Sequence, residues 1–178
     1  SPLDAVEQAR AARLIEPRGD GRLIFTHAVF REVLTADLSE ERRSELHRRA
    51  GEAIERIHGD RLDPHLPALA RHLPQVARSR AARGDGEEPH RARRYSLAAA
   101  RQAAERLAHS DAASHLTDAL ELLPSGERSE ELALRLELGE ELTRGGGLVA
   151  AREVLFEAAR LARELGDGAA LATAAIKL

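Results

Sequence analysis

Residues 95–124 read YSLAAARQAAERLAHSDAASHLTDALELLP, and residues 134–163 read LRLELGEELTRGGGLVAAREVLFEAARLAR. One pattern is written twice. The first copy carries Ala99-Ala100, then Ala112, Leu116, Ala119 and Pro124; the second carries Leu138-Gly139, then Ala151, Leu155 and Ala158. Counted from the small residue at 100 or 139, the later positions fall at +12, +16 and +19 in both copies, which lie 39 residues apart. Such spacing places the later residues on one helix face, and the small residue lets a preceding helix approach it closely. The pattern is that of a repeated helix–turn–helix unit.

Helices are expected at about 89–107, 110–123, 127–144, 148–165 and 168–178. Ser110 or Asp111 is the expected cap of the second. Pro124-Ser-Gly126 breaks the second from the third, and Gly145-Gly-Gly147 joins the two helices of the second copy. Gly166-Asp-Gly168 opens a third copy that stops after one helix. Ala169, Leu171, Ala174 and Ile176 give that helix no polar cover, so the native protein is expected to continue. The unit resembles the tetratricopeptide repeat, which places a small residue in its first helix and Ala, a bulky apolar residue, Ala and Pro in its second. Ser96 and Arg135 stand where that family often has Trp, Ala103 and Leu142 where it often has Tyr, and Arg163 where the second copy would have Pro. The period exceeds the usual ~34 residues.

Upstream, Leu3, Val6, Ala9 and Leu14 predict a helix over 3–15. Glu16-Pro17-Arg18-Gly19-Asp20-Gly21 is a turn. Arg22–Thr26 is the one convincing strand, and its partner must be the chain around Leu14–Glu16. Ser39 is a suitable N-cap for a helix from Glu40, with Leu46, Ala50, Ala53, Ile54 and Ile57 as its buried stripe and Gly59-Asp60 as its end. Another helix starts near His65 with Leu66, Leu69, Ala70 and Leu73 apolar. Pro67 is tolerated in its first turn, whereas Pro74 is expected to kink or split it. Ala82–Pro89 is the clearest loop.

Phe25-Thr-His27-Ala-Val-Phe-Arg31-Glu32-Val-Leu34, then Arg42-Arg43 and Leu46-His47, then Ala70-Arg71-His72 and the repeats, arrive in an order that resembles the large ATP-binding regulators of the LuxR type, within the signal-transduction ATPases with numerous domains. The resemblance implies the end of a winged-helix spacer at 1–60, an adaptor at 61–88 and tetratricopeptide-like repeats at 89–178. The implied fold is all-α with one small β-hairpin and a right-handed repeat array. It also implies a non-catalytic sensor or interaction segment, in which any NTPase and its ATP belong to an upstream domain. That upstream ATPase domain, a protein or peptide segment, or a small inducer would be the partner. On the same resemblance, the concave face of the repeats is formed by Arg94, Leu97, Arg101, Ala104 and Glu105, then Ala133, Leu136, Glu140, Thr143 and Arg144. Of these, Arg94, Arg101, Glu105, Glu140 and Arg144 are the partner-binding candidates.

Composition narrows the alternatives. The 178 residues are 43% hydrophobic but only 2% aromatic, so the core must be built from Ala and Leu, with some Val and Ile, on helices. So few rings do not suit a single-strand nucleic-acid binder that stacks bases. The absence of Cys excludes a disulfide framework and a thiol nucleophile. No apolar run approaches ~18 residues and no signal peptide opens the chain, so a cytoplasmic location is expected. Ser1 in place of an initiator methionine suggests a piece of a longer product or a processed one. Lys177 is the only lysine among 27 basic residues, as GC-rich coding would give. Net charge is −2 over 1–60, +5 over 61–109 and −6 over 110–178. The basic middle could meet an acidic partner or the acidic third of the same chain, and the second is preferred for a tightly stacked helical array.

No sequence motif points to catalysis. Arg144-Gly-Gly-Gly-Leu148 lacks the Lys-Ser/Thr of a phosphate loop and reads as a turn. His65 and His72 share a helix face but stand about 10 Å apart along it, too far to chelate one ion alone. His27 and His47 are expected in buried hydrogen bonds that lock wing to helix. Glu130-Glu131 and Glu140-Glu141 are sequential and point apart. A winged helix would read DNA through the helix at 3–15, but Asp4 and Glu7 beside Arg10 and Arg13 would repel phosphate. Nucleic-acid binding is thus the alternative reading, and a stand-alone helical scaffold another.

Overall fold

A computed structural model describes residues 2–19, 23–81 and 87–178. They separate into two compact units, 1–43 and 44–178. The chain is mostly helical with one two-stranded hairpin, as the sequence predicts.

In the first unit, α1 (Pro2–Ala11) is followed by β1 (Ile15–Pro17), β2 (Leu23–Phe25) and α2 (Ala28–Ala36). The strands pair antiparallel with Ile15 opposite Phe25, which confirms the expected hairpin. Helix α1 ends four residues short of expectation. Arg13 adopts a left-handed backbone (φ 55°), and the Thr26 hydroxyl donates to Arg13 O at 2.7 Å, so the chain turns into the strand there. No described residue of this unit is buried; Val29, Val33 and Leu34 are more than half exposed. His27, expected in a buried hydrogen bond, is exposed and meets the edge of the Phe30 ring. With no core around it, there is nothing to bury it.

Helix α3 (Glu40–His58) starts where Ser39 predicts: Ser39 Oγ accepts from Arg42 N at 3.2 Å. It ends at Gly59, whose φ of 51° is the left-handed conformation favoured at a helix C-terminus. Within the expected stripe, Leu46 and Ile57 are exposed while Ala50, Ala53 and Ile54 are partly covered. A 3₁₀ turn at Asp63–His65 leads into α4 (Leu66–Ala81). Pro74 does not split α4; it lies inside an unbroken helix and is fully buried, because packing on both sides of it holds the backbone in register. The expected loop at 82–89 falls mainly outside the described residues, as do the turn and strand positions at 20–22. Pro89 lies in the first turn of α5 (Glu87–Glu105), where its missing N–H is tolerated.

The repeats follow as α5 and α6 (His109–Glu121), α7 (Arg128–Arg144) and α8 (Leu148–Leu165), then α9 (Gly168–Lys177). All but one of the positions that define the sequence pattern are buried: Ala99, Ala100, Ala112, Leu116 and Ala119 in one copy, where Pro124 is half-buried, and Leu138, Gly139, Ala151, Leu155 and Ala158 in the other. Gly139 shows why the first position is small. A Cβ there would lie 2.5 Å from Leu155 Cδ2, the side chain at +16. A third pair uses the same contact: a Cβ on Gly51 of α3 would lie 2.6 Å from Leu73 Cδ2 of α4. Leu69, Leu73 and Val76 are wholly buried and repeat the spacing of Ala151, Leu155 and Ala158. Residues 44–81 therefore pack as a further helix pair, continuous with α5 through the core of Leu69, Leu73, Ala77, Ala92 and Tyr95. The compact units thus divide at 43/44, whereas the sequence placed divisions at 60/61 and 88/89.

The turn within each repeat is also duplicated. Leu107 (φ 59°) and Gly146 (φ 81°) occupy the same left-handed place. Ala108 N donates to Ala103 O at 2.9 Å, and Gly147 N to Leu142 O at 2.8 Å. This closure brings Ala108 to the N-cap of α6, so neither Ser110 nor Asp111 caps it. The triple glycine is a turn, as its composition suggests. The last helix buries Ala174 and leaves Ile176 exposed.

Candidate interaction face and polar clefts

The first helices of successive pairs, α3, α5, α7 and α9, are tied to one another by charge. Glu55 of α3 accepts from Arg91 Nε at 3.1 Å and from Tyr95 Oη at 2.7 Å, both on α5. Arg93 Nη1 of α5 lies 2.7 Å from Glu130 Oε1 of α7, an ion contact whose angle does not make a hydrogen bond. Lys177 Nζ of α9 donates to Glu140 Oε2 of α7 at 2.6 Å. Burial raises the pKa of the Glu55 carboxyl, but Arg91 and the Tyr95 hydroxyl outweigh it, and the net shift is downward.

The five partner-binding candidates divide into two groups by their contacts. Glu140 and Arg144 pair with each other, Arg144 also reaches Glu141, and Lys177 closes over Glu140. Their charges are spent within the chain, and the Glu140 pKa is lowered chiefly by Lys177. Arg94, Arg101 and Glu105 on α5 are exposed and in no ion pair among the described residues. The Arg94 guanidinium lies over the Tyr95 ring, 5.2 Å from its centroid. The two arginines stand seven residues apart, two turns along one helix face.

Sequence reading missed several polar arrangements. Glu141 is buried and bonded to His109 Nδ1 at 2.9 Å across the α6–α7 boundary. His47 of α3 meets His72 of α4, Nδ1 to Nδ1 at 2.8 Å, and so ties these two helices together. His58 stacks on His65, ring centroids 3.5 Å apart. His65 and His72 are thus each engaged by α3. No group of three or more metal-ligating side chains occurs among the described residues.

Three clefts accompany these features. One of about 560 Å³ in the first unit is lined by Glu7, Arg10, Arg13, Glu16 and Thr26, charges of both signs. One of about 280 Å³ lies against Ser110, Thr117, Glu141 and the glycine turn. One of about 430 Å³ lies between α4 and α6, lined by Arg71, Gln75, Arg78, Asp111, Ser114, His115 and Asp118. In it, Arg78 is clamped by Asp118 and by Glu121, the latter at 2.9 Å from Nε. Burial lowers the pKa of the His115 ring, with Asp118 and Asp111 opposing and Arg71 assisting. Its Nδ1 is buried without a partner. The two-turn register of these side chains could be found in the sequence only once α4 and α6 were known to be neighbours.

No described helix is long and apolar enough to cross a membrane. Comparison with known proteins finds no family model that matches this chain, no matching curated protein and no matching solved structure.

Proposed function

We propose that the chain is a non-catalytic interaction segment of a multidomain ATP-dependent regulator, with its tetratricopeptide-like repeats receiving a protein or peptide segment. The order of motifs from Phe25 to the repeats supports the regulator context, by its resemblance to the LuxR-type proteins. A transcriptional output, a cytoplasmic location and an ATPase upstream are parts of the same reading.

The observation that carries the interaction role is the pair Arg94 and Arg101. Both are exposed and without an ion pair among the described residues, on a helix whose Arg91 and Arg93 pair with the neighbouring first helices. An unpaired guanidinium pair two turns apart suits an acidic segment laid across α5, since each Arg can take a carboxylate in bidentate fashion. Selection of a displayed peptide library on the full chain should enrich acidic peptides. Arg94→Glu with Arg101→Glu should weaken the enriched peptides at least ten-fold by fluorescence anisotropy. Enrichment without acidic bias, or affinity untouched by the double change, contradicts this assignment. Duplex DNA is a weaker reading, because Arg13 lies beyond the end of α1 and Arg10 is then the only basic side chain on that helix. Salt-sensitive DNA retention would favour it.

A further inference from the structure

The cleft between α4 and α6 contains an ion-pair pattern that is complete at one level and incomplete at the next. Arg71 and Arg78 are seven residues apart on α4. Asp111 and Asp118 are seven apart on α6, and so are Ser114 and Glu121. Seven residues are about two helical turns, with a nearly equal advance on both helices. What faces Arg78 therefore sets what should face Arg71. Arg78 is held between Asp118 and Glu121. Two turns away the glutamate position is Ser114, and Arg71 makes no ion pair or hydrogen bond among the described residues. Asp111 is likewise unpaired. Between them His115 presents a buried Nδ1 with no partner, and Gln75 adds an amide on the opposite wall.

We propose that this cleft binds a small zwitterion of the amino-acid class, whose carboxylate takes the place that Glu121 fills two turns away. The carboxylate accepts from the Arg71 guanidinium, the Ser114 hydroxyl and the His115 ring. The ammonium group is held by Asp111. Burial disfavours the charged form of the His115 ring, and a neutral ring in its Nδ1–H tautomer can donate without a second cation in the site. The cleft volume of about 430 Å³ lies within the ~300–1,000 Å³ of small-molecule sites. A simple anion would leave Asp111 facing a like charge, and a simple cation would face Arg71. A ligand carrying both charges satisfies both walls. This inference does not depend on the acidic-segment reading, which concerns α5.

The test is an NMR titration of the full chain with L-alanine, acetate and methylammonium. L-Alanine should give saturable shifts at Arg71, Ser114 and His115 and bind at least ten-fold more tightly than either half-molecule. Arg71→Leu should abolish those shifts. Asp111→Asn should weaken L-alanine at least five-fold and leave acetate no weaker. Ser114→Glu is the sharpest variant, because it supplies the missing carboxylate from within the chain. It should abolish L-alanine binding while leaving the thermal midpoint unchanged or higher. Absence of saturable binding, acetate equal to L-alanine, or normal L-alanine binding by Ser114→Glu would each overturn the proposal.

Discussion

The two units obey the same helix-forming rules and reach opposite results. In residues 44–178 the small residues at 51, 100 and 139 let helices meet at contact distance, and the leucines they face are wholly or nearly wholly buried. In residues 1–43 the apolar residues are just as regular along α2, yet Val29, Val33 and Leu34 remain open to solvent and no described residue is buried. Amphipathic periodicity selects the helix. A core forms only where a second element offers a complementary surface, and a segment of about 40 residues can supply little of one.

The largest effect that sharpens this contrast comes from the same substitution in both units. Leu116→Ala, in the core of the first repeat, should cost about 3 kcal/mol in denaturant unfolding, whereas Leu34→Ala should fall within about 0.5 kcal/mol. Equal costs would show that residues 1–43 have a core of their own. Next, Gly139→Ala should destabilise by about 1–3 kcal/mol despite its better helix propensity, because the new methyl would meet Leu155. A stabilising result would remove the close-approach explanation of the repeat.

A smaller effect should run in the opposite direction. Leu107 holds a left-handed backbone that Gly146 holds in the next repeat, and its side chain is 75% exposed. Leu107→Gly should therefore stabilise by about 1 kcal/mol in the same assay.

The smallest effect is a pH dependence localised to the α3–α4 pair. Burial lowers the His72 pKa, with His47 and Arg71 adding to it. A histidine whose folded pKa is depressed binds more protons when unfolded, so its stability contribution is intact above the unfolded value near 6.5. It falls as pH drops below that value, and the loss is complete below the folded pKa. Melting curves from pH 7.5 to 5 should show this decline, and His72→Leu should flatten it.

Much of the repeat fold was legible in the sequence. The bounds of α5 to α9 lie within about two residues of expectation, because their caps and turns are local and their buried positions keep one spacing. The pair α3–α4 escaped that reading for a physical reason. The chain from Gly51 to α4 is six residues longer, through a longer linker and a longer end of α3, so Leu69, Leu73 and Val76 stand at +18, +22 and +25 from Gly51 instead of +12, +16 and +19. Pro74 does not split α4 as a local reading of a proline inside a helix suggests; it sits fully buried within the continuous helix. The candidate face was legible only in part. Glu140 pairs with Arg144 four residues on in the same helix, which the sequence shows, but its pairing with Lys177 depends on α7 and α9 meeting across 37 residues of chain. The unpaired Arg71 has the same origin, since Ser114 stands out only once Glu121 is seen clamping Arg78.

Native-state hydrogen exchange on the full chain tests the central contrast most directly. Amides of α4 to α8 should exchange at least ~10³-fold more slowly than free peptide and open together, while those of α1, the hairpin and α2 exchange near the free rate. If residues 1–43 share the protection and the opening free energy of α4 to α8, the contrast between a self-sufficient repeat core and a coreless leading unit is contradicted.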